Sequence, residues 1–439
     1  MTEVGTGASG QARRTAFQMR EQVERGRRLD MALQSSVRGL DDRDRAFAHE
    51  LAYGVTRLRG RIDHLLARHV HRGLDSLDPR LLEALRLGSY QLLYMDSVPD
   101  YAAVSETVDH VRSLAGRGAG GMANAVLRKV ADAGDGRENF PDPKADPGEF
   151  LATWGSHPRW LIDRWMKRWK PAEVLALVKK NNTRPGIFLA PLASTAAEAV
   201  AKLAAAGIEG EATGLGECVR LAQGTKPVDA LAAVPAAIIQ DPAANLVARY
   251  ASVPAGTNVA DLCAAPGGKV LVAARGADHT LAADPSEQRI RMVRENAQRT
   301  GSTLDCVVAD ARHPPITGAD VVLLDVPCTG TGTLGRHPDA RWRLGADSIA
   351  ELAKLQRELL LAAAPLVPVG GLLVYSTCTL EPEENHDQVE RFLMGAGDFE
   401  VEAPKGIQPE FLDGRGYLVV HPDQTGHDGA FAARLRRTG

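Results

Sequence analysis

Long hydrophobic runs are missing from this 439-residue sequence. No uncharged apolar stretch reaches the ~18 residues that a membrane-spanning helix needs. The N-terminal stretch MTEVGTGASGQARRTAF has no apolar centre of the kind that marks a secretory signal. Together these absences point to a cytoplasmic protein with no membrane partner. Cysteine is sparse: Cys218, Cys263, Cys306, Cys328 and Cys378 are the whole set, and no two stand as C-x-x-C. A disulfide framework and a structural zinc site are therefore not expected, and no metal is assigned. Net charge is also small, −3 over the whole chain, so nothing in the overall balance attracts nucleic acid.

What is present is an ordinary globular composition, 44% hydrophobic and 24% charged, which excludes wholesale disorder and collagen-like repeats. At about 150 residues per domain the length suggests about three domains. Charge is uneven. Residues 1–72 carry 14 Lys and Arg against 9 Asp and Glu, a local excess of +5. Arg25, Arg27, Arg28, Arg57, Arg59, Arg61, Arg68 and Arg72 supply much of it, as a solvated helical face or as a phosphate-facing patch.

Residues 1–140 show no period-2 alternation and read as an all-helical domain. LDPRLLEALRLGSYQLLYM (77–95) sets leucines at helical spacing, with Gly88 and Ser89 small enough to admit a neighbouring helix. Residues 132–149 are rich in Pro, Gly and Asp and read as a linker. Residues 145–235 suggest a small α+β connector. Trp160, Trp165 and Trp169, with basic residues between them, are read as core rather than as a stacking platform for bases. The third domain, 236–439, alternates short apolar runs with helical segments: TNVADLCA, HTLAADP, TLDCVVADA, ADVVLLDVP and GGLLVYSTC. Each run is apolar on both faces, as a buried parallel strand is. The expected fold is a doubly wound α/β sheet, whose ligands bind outside the carboxyl ends of the strands. Asp261, Asp284, Asp310, Asp325 and Cys378 fall at those ends.

The first strand runs into DLCAAPGGK (261–269). A P-loop would need a glycine at position 263 and a hydroxyl at 270, where Cys263 and Val270 stand. A dinucleotide turn would need G-x-G-x-x-G. The remaining candidate is S-adenosylmethionine, a methyl donor without phosphates. Asp284 is placed to accept the ribose hydroxyls and Asp310 an adenine amino group. GTGTLG (330–335) does match the dinucleotide pattern, but no apolar helix follows it; its glycines are read as shaping a loop over the site. LLDVPC brings Asp325 and Cys328 to one strand tip, and YSTCTLEPEEN brings Cys378 to the next. A thiol beside a methyl donor suits methylation of a pyrimidine at C5. Sulfur adding to C6 makes C5 nucleophilic, and a carboxylate steadies the ring nitrogens. Spacing alone does not say which of the two thiols attacks. The target base must be unpaired or flipped.

DLCAAPGGK, DVPCTGTGTLGRHPDARWR and YSTCTLEPEEN resemble the signature motifs of the Nop/Sun family of RNA cytosine-5 methyltransferases. ELAYGVTRLRGRID, LDPRLLEALRLGSYQLLYMDSVPDYAAVSETV and GMANAVLRKV resemble the NusB-like domain of its Sun/Fmu branch, which acts on small-subunit ribosomal RNA. The resemblance implies a NusB-like RNA-binding domain (1–140), the connector (145–235) and a Rossmann-like methyltransferase domain (236–439). It implies a site for S-adenosylmethionine lined by Cys263, Ala264, Ala265, Pro266, Gly267, Gly268, Lys269, Asp284, Asp310 and Asp325. It makes Cys378 the nucleophile, with Cys328 assisting release of the methylated base, and the partner small-subunit rRNA bound by a monomer. Two departures stand out. IFLAPL (187–192) replaces an Arg-Val-Asn-type strand, and Ala430 stands where an aromatic is common near the terminal strand. The competing readings are an RNA-binding transcription or assembly factor without catalysis, and a nicotinamide-dependent oxidoreductase using GTGTLG.

Overall fold

A computed structural model describes residues 7–439. The stretch read for a secretion signal and the first residues of the expected helical domain begin at positions 1–6, outside the described residues. The chain divides into two compact units, the first ending at Thr183 and taking back residues 334–345, the second made of 184–333 and 346–439.

The first unit is helical, with no strand among its described residues. Helices Gly7–Glu24, Leu29–Ser36, Asp42–Ala67, Pro79–Tyr94 and Asp100–Ala133 enclose a core that includes Leu51, Val55, Leu85, Val111 and Leu127. Gly88 is buried where the helices Pro79–Tyr94 and Asp100–Ala133 meet. A Cβ there would come within 2.8 Å of the Thr107 hydroxyl, so the small residue does permit the close approach. The last helix is interrupted at Gly116, whose φ of +83° few other residues adopt.

Much of the N-terminal arginine excess is spent inside this unit. Arg20 and Arg86 both bind the buried Glu83, and Arg86 also binds Asp63 at 2.7 Å. Arg61 donates to the Trp154 carbonyl and Arg68 to Asn139. The segment 132–149 is less free than its composition suggests. Phe140 is buried and stacks on His64, and Asn139 bonds both Arg68 and the Ala133 carbonyl. Helices Pro147–Thr153, Arg159–Met166 and Pro171–Asn181 follow and also belong to this unit. Trp165 is fully buried; Trp160 and Trp169 are only half-buried.

Residues 334–345 join the same unit through Arg341, which is fully buried. Its guanidinium donates to the carbonyls of Ser156 (2.9 Å), Asn181 (3.0 Å) and Leu334 (3.0 Å), and to the Asn182 side chain (2.8 Å). Trp342 donates its indole N–H to the Thr56 carbonyl at 2.7 Å.

The second unit opens with a four-stranded antiparallel sheet of β1 (Phe188–Pro191), β2 (Gly210–Ala212), β3 (Val219–Leu221) and β4 (Ala237–Ile239), in the order β2-β3-β1-β4. With the helices Ala196–Ala205 and Pro227–Ala233 it forms a small α+β unit, whereas residues 145–183 of the span expected for the connector (145–235) belong to the first unit, because their helices pack there. The larger sheet holds β5 (Asn258–Asp261), β6 (His279–Asp284), β7 (Asp305–Val308), β8 (Val321–Asp325), β9 (Leu372–Thr377), β10 (Phe399–Val401), β11 (Leu418–Val420) and β12 (Ala430–Arg437). Its order is β10-β12-β9-β8-β5-β6-β7, with β11 beside β12. The five strands expected from the apolar runs are β5 to β9, and they pair in parallel. From β5 the strand order runs outward one way through β6 and β7 and the other way through β8 and β9, so the crevice at the carboxyl ends of β5 and β8, where the order switches, is the place for a ligand. β12 runs antiparallel to β9, Phe431 opposite Thr377.

Candidate active site

The turn after β5 starts from Asp261, which is buried. Its Oδ1 accepts the Cys263 N–H at 3.1 Å. Its Oδ2 has no hydrogen-bond partner among the described residues. Burial, with Asp325 adding to it, pushes the Asp261 carboxyl up to about 7. A buried, unsatisfied carboxylate oxygen is costly unless something with a proton to donate comes to it. Gly267 takes φ +101° to turn the chain into the helix Gly268–Ala273. A Cβ on Gly268 would lie 2.9 Å from the Gln240 amide. The two glycines are therefore required by the close packing of the turn against Gln240 and Val293.

Asp284, buried at the tip of β6, accepts the Ser286 N–H at 3.0 Å, and Arg289 lies 3.4 Å from its other oxygen. Arg289 also donates to the Ala265 carbonyl at 2.6 Å, tying the two turns together. Asp310 lies two residues beyond the end of β7 and is partly exposed. Arg312 grips it from 2.6 Å, and its hydrogen bonds hold the carboxyl down at about 2. Cys263 is pushed well up by burial and so stays a thiol.

The second half of the site lies at the tips of β8 and β9. Asp325 accepts the Lys269 ammonium at 2.6 Å and the Ser376 hydroxyl at 2.8 Å. Burial lowers the Lys269 pKa, but Asp325, helped by Cys378 and Asp261, more than offsets it and keeps the ammonium charged. Cys328 and Cys378 meet with sulfurs 3.4 Å apart, and the Cys378 N–H points at the Cys328 sulfur at the same distance. The contact between the two sulfurs, with burial, pushes the Cys328 thiol well up, against the smaller opposing effect of the Cys378 N–H. Cys378 is only partly buried, so its sulfur is not walled into the core. The GTGT loop crosses beside it. Gly330 has φ +66° and a Cβ there would lie 3.7 Å from the Cys378 sulfur; one on Gly332 would press the Cys378 carbonyl at 2.8 Å.

The residues expected at the site thus form two groups. Cys263–Lys269, Asp284 and Asp325 surround the β5 turn, with Asp310 at its far side held by Arg312. Asp325, Lys269, Cys328 and Cys378 gather at the tips of β8 and β9. Sequence reasoning placed Asp261 at a strand tip without giving it a role. It also missed Ser376, Arg289, Thr329, Thr379 and Glu384. The signal for Asp261 was present, since it heads the glycine turn itself.

Strand order, antiparallel β12, glycine turn and acidic strand tips define an S-adenosylmethionine-type methyltransferase domain. Comparison with known proteins gives the same result. The family "16S rRNA methyltransferase RsmB/F" matches residues 252–436. The NusB family matches 10–132, and the ferredoxin-like domain of RsmF/B-like methyltransferases matches 157–229. A Synechocystis sp. protein named "Probable ribosomal RNA small subunit methyltransferase B" is 35% identical over 430 residues, spanning 93% of this chain and 94% of that one. A Bacillus subtilis protein of the same name is 32% identical, spanning 91% and 92%. The crystal structure of PH0851 superposes with a TM-score of 0.79 at 27% identity, over 99% of this chain and all of that one. The chain belongs to the RsmB/F family and is an S-adenosylmethionine-dependent RNA cytosine-5 methyltransferase of the Nop/Sun class.

Proposed function

We propose that this protein methylates C5 of a cytosine in 16S rRNA, in the cytoplasm, with Cys378 forming a covalent bond to C6 of the base. The observation that carries this reading is the thiol pair. Two sulfurs 3.4 Å apart stand beside a carboxylate, Asp325, that is itself fixed by Lys269 and Ser376. The residues present fit S-adenosylmethionine. Asp261 offers an unsatisfied buried oxygen suited to a cationic amino group, Asp284 a buried carboxylate suited to hydroxyls, and the 263–268 turn a close backbone approach. When bound there, the cofactor supplies an electrophilic methyl group.

The protein's own residues do the rest. Cys378, as thiolate, adds to C6 of an unpaired cytosine and so raises electron density at C5. Lys269 keeps its positive charge beside Asp325 at the same end of the site as Cys378. Asp325 faces the ring's nitrogen edge and stabilises the charge that develops there. After C5 is methylated, its proton leaves to a base and the S–C6 bond breaks, returning the Cys378 thiolate. Cys328 lies against that sulfur and assists the release. The reading needs neither a metal nor a second copy of the chain.

The experiment is bisulfite sequencing of 16S rRNA from cells with and without the gene, and from cells carrying Cys378→Ala. One cytosine protected only by the intact gene supports the reading. Protection restored in full by Cys378→Ala overturns the nucleophile, and no gene-dependent protected cytosine overturns the substrate.

A further inference from the structure

The residue after each cysteine is a threonine: Thr329 follows Cys328 and Thr379 follows Cys378. Both are buried, and their hydroxyls lie 2.7 Å apart. Both also converge on Glu384, a fully buried carboxylate in the turn Pro382–Glu384. The Thr329 hydroxyl donates to Oε2, and the Thr379 hydroxyl donates to the same oxygen at 3.0 Å. The Thr329 N–H donates to Oε1 at 2.9 Å, as does the Gln356 amide. The Glu384 carbonyl in turn accepts the Tyr375 phenol at 2.6 Å, which anchors the turn to β9. Glu384 makes no hydrogen bond to either sulfur among the described residues.

This arrangement is unusual in its cost. A buried carboxylate is retained only where its hydrogen bonds satisfy it, and burial raises its pKa even so. The bonds span two segments fifty residues apart. One is the 328–333 loop, the other the turn after β9. Their backbones meet again where Gly332 N–H donates to the Cys378 carbonyl at 3.0 Å.

We propose that Glu384 is a positioning residue that fixes the spacing of the two catalytic sulfurs by clamping the threonine behind each. The inference rests on the reading that both thiols act in turn. Attack on C6 needs only Cys378, whereas release needs both sulfurs at one geometry. Loosening the clamp therefore slows release more than attack.

The test compares Glu384→Gln, Thr379→Val and Thr379→Ser in the full-length protein, with Cys378→Ala as reference. Glu384→Gln presents an amide N–H2 to a donor it must otherwise accept. The expected result is a ~10–100-fold drop in kcat, the worth of one or two hydrogen bonds to a charged group. KM for RNA and the dissociation constant for S-adenosylmethionine stay at wild-type values. A covalent RNA–protein adduct, stable to denaturation, accumulates although both cysteines are intact. Thr379→Val behaves likewise and adds nothing further to Glu384→Gln, while Thr379→Ser retains near-wild-type turnover. Wild-type kcat in Glu384→Gln overturns the proposal. So does a loss matched by an equal fall in S-adenosylmethionine affinity, or failure of Thr379→Ser to restore turnover. Full activity in Cys378→Ala would instead remove the underlying covalent mechanism, so the two failures are distinguishable.

Discussion

The sulfurs of Cys328 and Cys378 lie 3.4 Å apart across a sequence separation of fifty residues, and the Cys378 N–H is aimed at the Cys328 sulfur. Adjacent parallel strands β8 and β9 bring them there, Asp325 standing directly opposite Ser376 in the register. The same pairing lets Ser376 hold Asp325, so the two thiols and the carboxylate are set by one ladder.

Asp261 gives a pH signature. Its folded-state pKa, about 7, lies above the ordinary aspartate value of 3.8. The folded form therefore binds the proton more tightly, and its stabilising contribution is complete below that ordinary value. It is lost as pH rises through about 7. Melting curves of wild type and Asp261→Asn, recorded without ligand, should diverge over this window. Above it the variant should melt higher, by at least the ~2–4 °C that 1 kcal/mol is worth in a domain of this size. The variant should also bind S-adenosylmethionine more weakly.

Arg341→Ala should destabilise the helical unit by about 3 kcal/mol or more. It strips donors from buried carbonyls of Ser156, Asn181 and Leu334. Chemical denaturation followed by helical circular dichroism measures it. A change under ~0.5 kcal/mol, as at an ordinary surface position, would contradict this account of Arg341.

Glu83 predicts the acid limb of stability. Burial raises its pKa, but Arg20 and Arg86 outweigh burial and hold it at about 2. Its contribution is present above the ordinary glutamate value of 4.5 and is lost as pH falls towards about 2. Glu83→Ala should cost ~3 kcal/mol at neutral pH, because it removes the carboxylate that two buried guanidinium groups share and leaves Arg20 only Glu24 and Arg86 only Asp63 as ion partners. The difference from wild type should shrink under acid titration.

The strand tips were legible because parallel strands are apolar on both faces and end where polarity returns. Asp261, Asp284, Asp325 and Cys378 could be placed from that pattern alone. Asp310 stands two residues beyond β7 rather than at its tip. The same pattern says nothing about Arg312, two residues on, which takes the carboxylate. RHPDARWR has no periodicity, and its bonds run to carbonyls more than 150 residues away, such as that of Asn181. Nothing local marks it as part of the helical unit. Glu384 was equally hidden, since PEEN reads as a polar turn until β9 folds it beneath both threonines. Arg61 and Arg68 read as a solvated face or a phosphate-facing patch because their partners, the Trp154 carbonyl and Asn139, lie more than 70 residues further along the chain.

Incubation of Cys328→Ala protein with unmodified 16S rRNA and S-adenosylmethionine, followed by denaturing electrophoresis and mass spectrometry, addresses the covalent step head-on. The account predicts a stable protein–RNA adduct mapping to Cys378, absent when Cys378→Ala is added. An adduct that persists in the double variant, or methyl transfer at the wild-type rate without Cys378, would contradict it.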